Sequence, residues 1–365
     1  MKKILFVAPR YHTNMHEWIK VLLKKHNKIF INTLISHNVE NYSLIKPKQF
    51  DISSISKLII FFFGNSGENL TKGFPSIYKY FFYLKKINPD IIIVRDLSRW
   101  FSLVAIILGK FIGSKIIIYS QNKIYNNFSY KRLILHRLVC IIFKPAFMSP
   151  IVGKKKDTFK PLKNTFHVPF VGFNHNQKKI KDKYYNILTI GKFVKRKNHE
   201  ILIQNIIELR KKYPKIRLII IGEAFEKHHF KLLDELKRKY NSELNKNYIK
   251  IITNVSHDDI IHYYKKADLF VLPATEEPAS ISIIEALANK IPAICSDSCG
   301  TAEYIDINKN GTLFKDNDIN DLKLKIEHFI NLDNSLLTLN NFHYDGDFFY
   351  YNFKNMIKKQ FGILL

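Results

Sequence analysis

Short runs of Ile, Val and Leu alternate along the whole chain with longer stretches in which apolar residues recur every three or four positions. Residues 3–8, 29–34, 57–63, 90–94, 115–119 and 146–149 are predicted strands, and 15–25, 75–86, 97–112 and 129–143 are predicted helices between them. The strand segments are apolar almost without interruption, as expected of a parallel sheet covered on both faces, so residues 1–175 read as a doubly wound α/β domain. Pro169, Gly172 and the lysine-rich stretch up to Lys183 interrupt the pattern and mark a linker. Alternation then resumes, with strands at 186–190, 216–221, 248–253, 268–272 and 292–296 and helices at 198–212, 225–240, 258–266, 280–289 and 319–329. A second doubly wound domain therefore covers 176–340, and 341–365 is expected to be a terminal helix packed across the junction. The predicted fold class is α/β, with two facing Rossmann-like domains and an interdomain cleft at the carboxyl ends of their strands.

A length of 365 residues fits two domains, and 46% hydrophobic against 24% charged residues excludes a disordered chain. The longest apolar runs fall well short of the ~20 residues that cross a bilayer, and Met1-Lys2-Lys3 leads directly into a strand. Three cysteines, Cys140, Cys295 and Cys299, form neither a full set of pairs nor a metal ladder, so a reducing cytoplasm is the expected compartment. The net charge of +27 is uneven: residues 1–175 hold 28 Lys and Arg against 7 Asp and Glu. That half of the chain should attract phosphorylated molecules, anionic lipid or nucleic acid. The aromatic, lysine-interleaved segment 74–86, with Lys131, Arg132 and Arg137, points to an anionic membrane surface. No nucleic-acid reader motif accompanies the charge, which makes a nucleic-acid-binding module the remote alternative.

The loop after the first strand, Ala8 to His16, has no glycine, which disfavours a dinucleotide dehydrogenase, and no GxxxxGK[ST] run is present. The second domain opens with a strand, then Gly191-Lys-Phe-Val-Lys-Arg-Lys-Asn198, then a helix. A glycine turn with four cations at a helix N-terminus suits a diphosphate; alternatively Lys195, Arg196 and Lys197 are solvated and Asn198 only caps the helix. Glu277 falls in a loop after a strand, and Glu285 about one turn into the next helix. Their carboxylates suit sugar or ribose hydroxyls, although Ser282-Ile-Ile-Glu285 also fits a capping box. Asp316-Asn-Asp318 and Asp345-Gly-Asp347 match the D-x-D string of metal sites but read as a helix start and a turn. His228, His229, His257 and His262 have no metal-ligand spacing.

Taken together, the Gly191–Asn198 turn, the Glu277-x7-Glu285 spacing, Cys295-Ser-Asp-Ser-Cys-Gly-Thr-Ala-Glu303 and Asn310-Gly311 resemble the donor domain of retaining glycosyltransferases of family four, which have the GT-B fold. The resemblance covers about 185–315; the amino-terminal half is similar in strand order only. It implies that Lys192, at the position of the family's arginine, and Lys197 hold a donor diphosphate, that Glu277 meets the donor sugar, and that Glu285 holds the ribose. Gly191 belongs to the same cradle. Pro278 has no N–H, so amide contacts begin at Ala279 or later, and Ser280, Ile281 and Ser282 count with the donor-binding residues. Acceptor-side candidates are His12, Arg95, Asp96 and Gln121, the last standing where many relatives have histidine. The activity implied is retaining transfer of a sugar from a nucleotide diphosphate sugar to a glycan, lipid-linked glycan or lipid, with no cofactor and no divalent metal. A nucleotide-sugar epimerase of the same architecture is the enzymatic alternative.

Overall fold

The structure is a computed structural model that describes residues 1–36, 40–63, 72–153, 159–173, 179–332, 337–339 and 344–365. The chain forms two compact units, one of Met1–Val171 with Asp345–Leu365 and one of Gly172–Tyr344.

The first unit contains β1 (Lys3–Val7), α1 (His16–Lys24), β2 (Lys28–Thr33), β3 (Lys48–Gln49), α2 (Ser54–Phe63), α3 (Ile77–Ile87), β4 (Ile91–Arg95), α4 (Trp100–Phe111), β5 (Lys115–Tyr119), β6 (Tyr125–Asn126), α5 (Tyr130–Phe143), β7 (Ala146–Ser149), β8 (Lys160–Pro161) and β9 (Thr165–His167). Seven strands form a sheet in the order β3-β2-β1-β4-β5-β7-β9, and each pairing in it is parallel. Strand residues alternate between two buried faces. Leu5, Val7, Ile92, Val94, Ile116 and Ile118 share one core with Tyr80 and Leu84 of α3, Phe101 and Ile106 of α4, and Val139 of α5. Those three helices thus lie on the same side of the sheet.

The opposite face carries an aromatic stack. Trp18 of α1 is fully buried, stacked on Phe170 and on Phe349 with ring centroids 5.6 Å apart in each case, and its indole N–H donates to the Pro169 carbonyl over 2.9 Å. Phe349 belongs to the terminal helix α12 (Gly346–Phe361), whose N-cap Asp345 accepts from the Phe348 N–H. The aromatic residues of the chain end therefore complete the core of the first unit.

One predicted strand is a helix. Residues 57–63 lie within α2, and the edge position beside β2 is taken by the two-residue β3. The cause is local: Ser53 sits just before the run, and its Oγ accepts the Ser56 N–H over 3.1 Å, an N-cap that starts a helix where the apolar run alone fits either structure.

The second unit contains β10 (Tyr185–Ile190), α6 (His199–Lys212), β11 (Ile216–Gly222), α7 (Lys227–Lys239), α8 (Asn241–Asn245), β12 (Ile249–Thr253), α9 (His257–Tyr264), β13 (Leu269–Leu272), α10 (Ile281–Ala288), β14 (Ala293–Ser296), β15 (Gly311–Phe314) and α11 (Ile319–Asn331). Its sheet order, β12-β11-β10-β13-β14-β15, is parallel throughout. The crossovers change direction between β10 and β13. This topological switch point is where ligands of open α/β sheets bind, outside the carboxyl ends of the strands. The loop after β10 carries Gly191, and the loop after β13 carries Glu277.

Candidate functional site

Glycine at 191 leaves room for what lies over it. A Cβ there would come within 3.0 Å of the Lys197 Cδ and 3.1 Å of its Cε, so the bare backbone lets the lysine stem cross the turn. Lys197 is 7% exposed, and its ammonium stands 2.7 Å from Glu277 Oε2. The Arg196 guanidinium reaches the same oxygen, and Glu277 itself is 5% exposed. The buried Lys197 and Glu277 are a stable pair only while both remain, because a lone buried charge has no water to compensate it.

The backbone fixes this arrangement from both sides. The Thr275 N–H donates to the Arg196 carbonyl over 2.8 Å, and the Gly300 N–H donates to the Glu277 carbonyl over 2.8 Å. Glu276 takes a left-handed φ of 46°, and its N–H donates to Ser298 Oγ over 3.1 Å. At Gly300 a Cβ would lie 1.8 Å from the Pro278 carbonyl oxygen, so only glycine permits that approach. Asn198 does not cap α6 through its side chain. It adopts φ 51°, and its Nδ2 donates to Asn317 Oδ1 over 3.4 Å.

Lys192 points elsewhere: its ammonium lies 3.0 Å from Glu223 Oε2, both side chains being about a third exposed. Beneath it, the buried His199 donates from Nε2 to the Lys192 carbonyl over 3.2 Å. Burial pushes the His199 pKa down to about 4, so the ring is neutral at physiological pH.

Glu285 is buried in the second turn of α10. Its Oε1 lies 2.8 Å from His257 Nε2, and its Oε2 accepts from the Tyr264 hydroxyl over 2.9 Å. Burial, and after it the Glu285 carboxylate, hold the Tyr264 pKa well above its ordinary value. With its carboxylate turned to α9, Glu285 does not act as a capping-box partner. His257 and Tyr264 have no signal in the sequence as partners of Glu285, because they meet it across 28 and 21 residues. Ser280 and Ser282 share a hydroxyl contact of 2.8 Å, and the Ser280 N–H donates to Thr301 Oγ1 over 3.3 Å. At Ile281 and Ser282 the first turn of α10 presents N–H groups that have no carbonyl four residues back.

Both D-x-D strings start helices. Asp318 caps α11 by accepting from the Asn320 and Asp321 N–H groups, and Asp345 caps α12. Glu226, His228 and His229 do come together, within 4.8 Å. A capping box accounts for part of this: the Glu226 side chain accepts from the His229 N–H, and His229 Nδ1 accepts from the Glu226 N–H.

In the first unit, Arg95, Asp96 and Gln121 converge on the buried Tyr119. Arg95 lies over the Tyr119 ring at 4.7 Å, donates to Gln121 Oε1 over 3.1 Å and faces Asp96 with its Nε at 3.3 Å. Asn14 joins them by donating to the Tyr119 hydroxyl over 3.0 Å. His12 is on the loop that delivers Asn14, where its carbonyl accepts the Met15 N–H. A cavity of about 630 Å³ opens beside Asp96, and its lining includes the cations Lys123, Lys131 and Arg132 and the apolar Leu135, Phe147 and Leu162.

Two parallel sheets of this order, with a cation-held carboxylate at the switch point of the second, define a GT-B architecture. Residues 171–344 match the family described as Glycosyl transferases group 1. Among curated relatives, the chain is 30% identical over 137 residues to an alpha-monoglucosyldiacylglycerol synthase of Acholeplasma laidlawii, covering 38% of this chain and 33% of that protein. It is 27% identical over 132 residues to a mannosylfructose-phosphate synthase of Agrobacterium fabrum, covering 36% and 29%. The chain thus spans about a third of the length of these relatives. Among solved structures, a glycosyltransferase of Rickettsia africae superposes with a TM-score of 0.73 at 16% identity, over 98% of both chains. Anabaena Alr3699/HepE, solved with UDP and glucose, superposes with a TM-score of 0.72 at 14% identity, over 98% of this chain and all of that one.

Proposed function

We propose that the protein is a retaining glycosyltransferase that moves a sugar from a nucleotide diphosphate sugar to a hydroxyl of a glycan, lipid-linked glycan or lipid, working at the cytoplasmic face of a membrane in cell-surface polysaccharide or lipopolysaccharide assembly. The observation that carries it is the buried Lys197–Glu277 pair across Gly191 at the β10/β13 switch point. On this reading the donor diphosphate displaces part of the carboxylate's hold on Lys197. The freed ammonium, Lys192 and the first-turn N–H groups of α10 then take up the charge that develops on the leaving group. Glu277 faces the donor sugar, and Glu285, oriented by His257 and Tyr264, holds the ribose diol. Arg95, Asp96 and Gln121 stand on the acceptor side. The UDP and glucose bound by HepE and the lipid product named for the Acholeplasma relative support the donor and acceptor classes.

In this scheme lysines and backbone amides meet the charge that develops on the leaving diphosphate, so transfer is expected to need no divalent ion. Calorimetric titration with a panel of nucleoside diphosphates and their sugars tests the donor. Activity that disappears with a chelator and returns with Mn²⁺ or Mg²⁺ contradicts the metal-independent part.

A further inference from the structure

The α3–α4–α5 layer of the first unit has a composition that a water-facing surface rarely has. None of the three helices contains Asp or Glu, while they carry Lys79, Lys85 and Lys86, Lys110, and Lys131, Arg132 and Arg137. Between these cations large apolar side chains face outward: Tyr78 is 73% exposed, Phe111 79% and Ile141 62%. Helix α5 shows the pattern most clearly. Only His136 and Val139 of its fourteen residues are buried. Tyr130, Ile134, Leu138 and Ile141, spaced three and four apart, form an apolar stripe on the outer side, flanked by Lys131 and Arg137. Such an arrangement costs solubility unless something covers it.

We propose that the α3–α4–α5 face docks on an anionic lipid bilayer, with the α5 stripe entering the interface and the surrounding Lys and Arg side chains meeting lipid phosphates. Charge decides the sign of the partner: seven cations without a carboxylate on the same helices complement only a negative surface. The outward Ile, Leu and Phe side chains favour a bilayer over nucleic acid, since they gain by leaving water while phosphodiesters offer them no apolar partner. The lining of the cavity at the start of α5 mixes the same two kinds of side chain, Lys131 and Arg132 with Leu135 and Phe147. The inference sharpens the membrane part of the proposed function, on which it rests, and is independent of the donor part.

Flotation of the full chain with vesicles of phosphatidylcholine, with and without 30 mol % phosphatidylglycerol, tests it. Binding is expected only with the anionic lipid at low salt and is expected to fall at 0.5 M salt. Lys131→Ala with Arg132→Ala should weaken partitioning about 25-fold, since each basic residue near such a surface contributes about a fivefold factor. Ile134→Glu with Ile141→Glu should weaken it by tenfold or more. All four side chains are exposed, so thermal melts of these variants should match the wild type. Equal flotation with neutral vesicles, no flotation, or flotation indifferent to both double substitutions overturns the proposal. So does a stable dimer that Ile134→Glu with Ile141→Glu dissociates, which assigns the face to a second copy, or tight RNA binding without vesicle binding. Calorimetry with nucleotide sugars on the same preparations separates the two readings: vesicle binding without donor binding defeats the transferase and leaves the docking face standing.

Discussion

Neutralising Glu277 should lower stability and turnover together while leaving the binding of free nucleotide intact or stronger. In Glu277→Gln the amide still accepts one hydrogen bond from Lys197, but the ammonium of this buried lysine loses its counter-charge. Breaking a buried pair from one side costs about 3–5 kcal/mol. The half-exposed Arg196 is already partly solvated and loses little, so the lower end, about 3 kcal/mol, is expected. For a unit of this size that corresponds to a melting temperature lower by about 6–12 °C. Lys197→Met should cost a similar amount, and the double variant should be less destabilised than the two singles combined, by about 1–3 kcal/mol. The same substitution releases Lys197 and Arg196 toward an anion. Free nucleoside diphosphate should then bind as well as or better than to the wild type, while turnover of the intact donor falls about ten- to a hundredfold through the lost contact to the sugar. Thermal melts of the four proteins, calorimetry with free nucleotide and initial rates with donor give the three readouts. Additive melts refute the buried pair, and a loss of nucleotide affinity parallel to the loss of rate refutes the division of labour between Glu277 and Lys197.

Three further outcomes follow from the same geometry. Glu285→Gln presents an amide N–H₂ where the carboxylate accepted from either His257 or Tyr264, so binding of both free nucleotide and donor should weaken about ten- to a hundredfold, read by calorimetry; wild-type affinity for the nucleotide removes Glu285 from the site. Gly300→Ala forces the Pro278 carbonyl aside, because a Cβ would sit 1.8 Å from it, and should cost about 1–3 kcal/mol in a denaturant titration together with donor turnover; an unchanged midpoint contradicts the contact. His199 is neutral when folded and titrates near 4, below its ordinary unfolded value of about 6.5, so the stability it confers is whole above that unfolded value and is lost as pH falls toward 4, a change of about 3 kcal/mol; His199→Gln should flatten the acid limb of melts taken from pH 7 to 4, and an unaltered limb refutes it.

What the sequence made legible follows the range of the interactions. Uninterrupted apolar runs announce parallel strands because burial on both faces is a property of each strand by itself. The Gly191 turn and the Glu277–Glu285 spacing are also local, and the structure sets each at the end of a strand or the start of a helix next to the switch point. The segment 57–63 misled because an apolar run has no period that separates strand from helix, and the deciding group, Ser53, lies outside the run. Strand β15 escaped notice because Gly311-Thr-Leu-Phe314 is short and opens on a glycine, whose use there is backbone proximity: a Cβ would lie 2.1 Å from the Ala293 carbonyl oxygen.

The polar partners were illegible for a different reason. Arg196, one of four cations in its turn, differs from Lys195 only in what the β13 loop brings to it, and that loop is 81 residues away in sequence. Lys192 and Lys197, five positions apart, end on two different carboxylates, Glu223 and Glu277, because Gly191 leaves room for one stem to cross the turn while the other leaves it toward the residue that follows β11. A sequence states which charges exist; the crossovers of a parallel sheet decide which of them meet. For that reason the Lys197–Glu277 contact informs on the site more than the cation count of the turn does. A solvated lysine cluster has no cause to bury one lysine to 7% exposure against a carboxylate whose loop is itself fixed by Gly300, Ser298 and Arg196. A buried charge pair gains little stability over an apolar pair of the same shape; on the proposed reading it is kept because a diphosphate arriving at the β10/β13 switch point would exchange with one of its members.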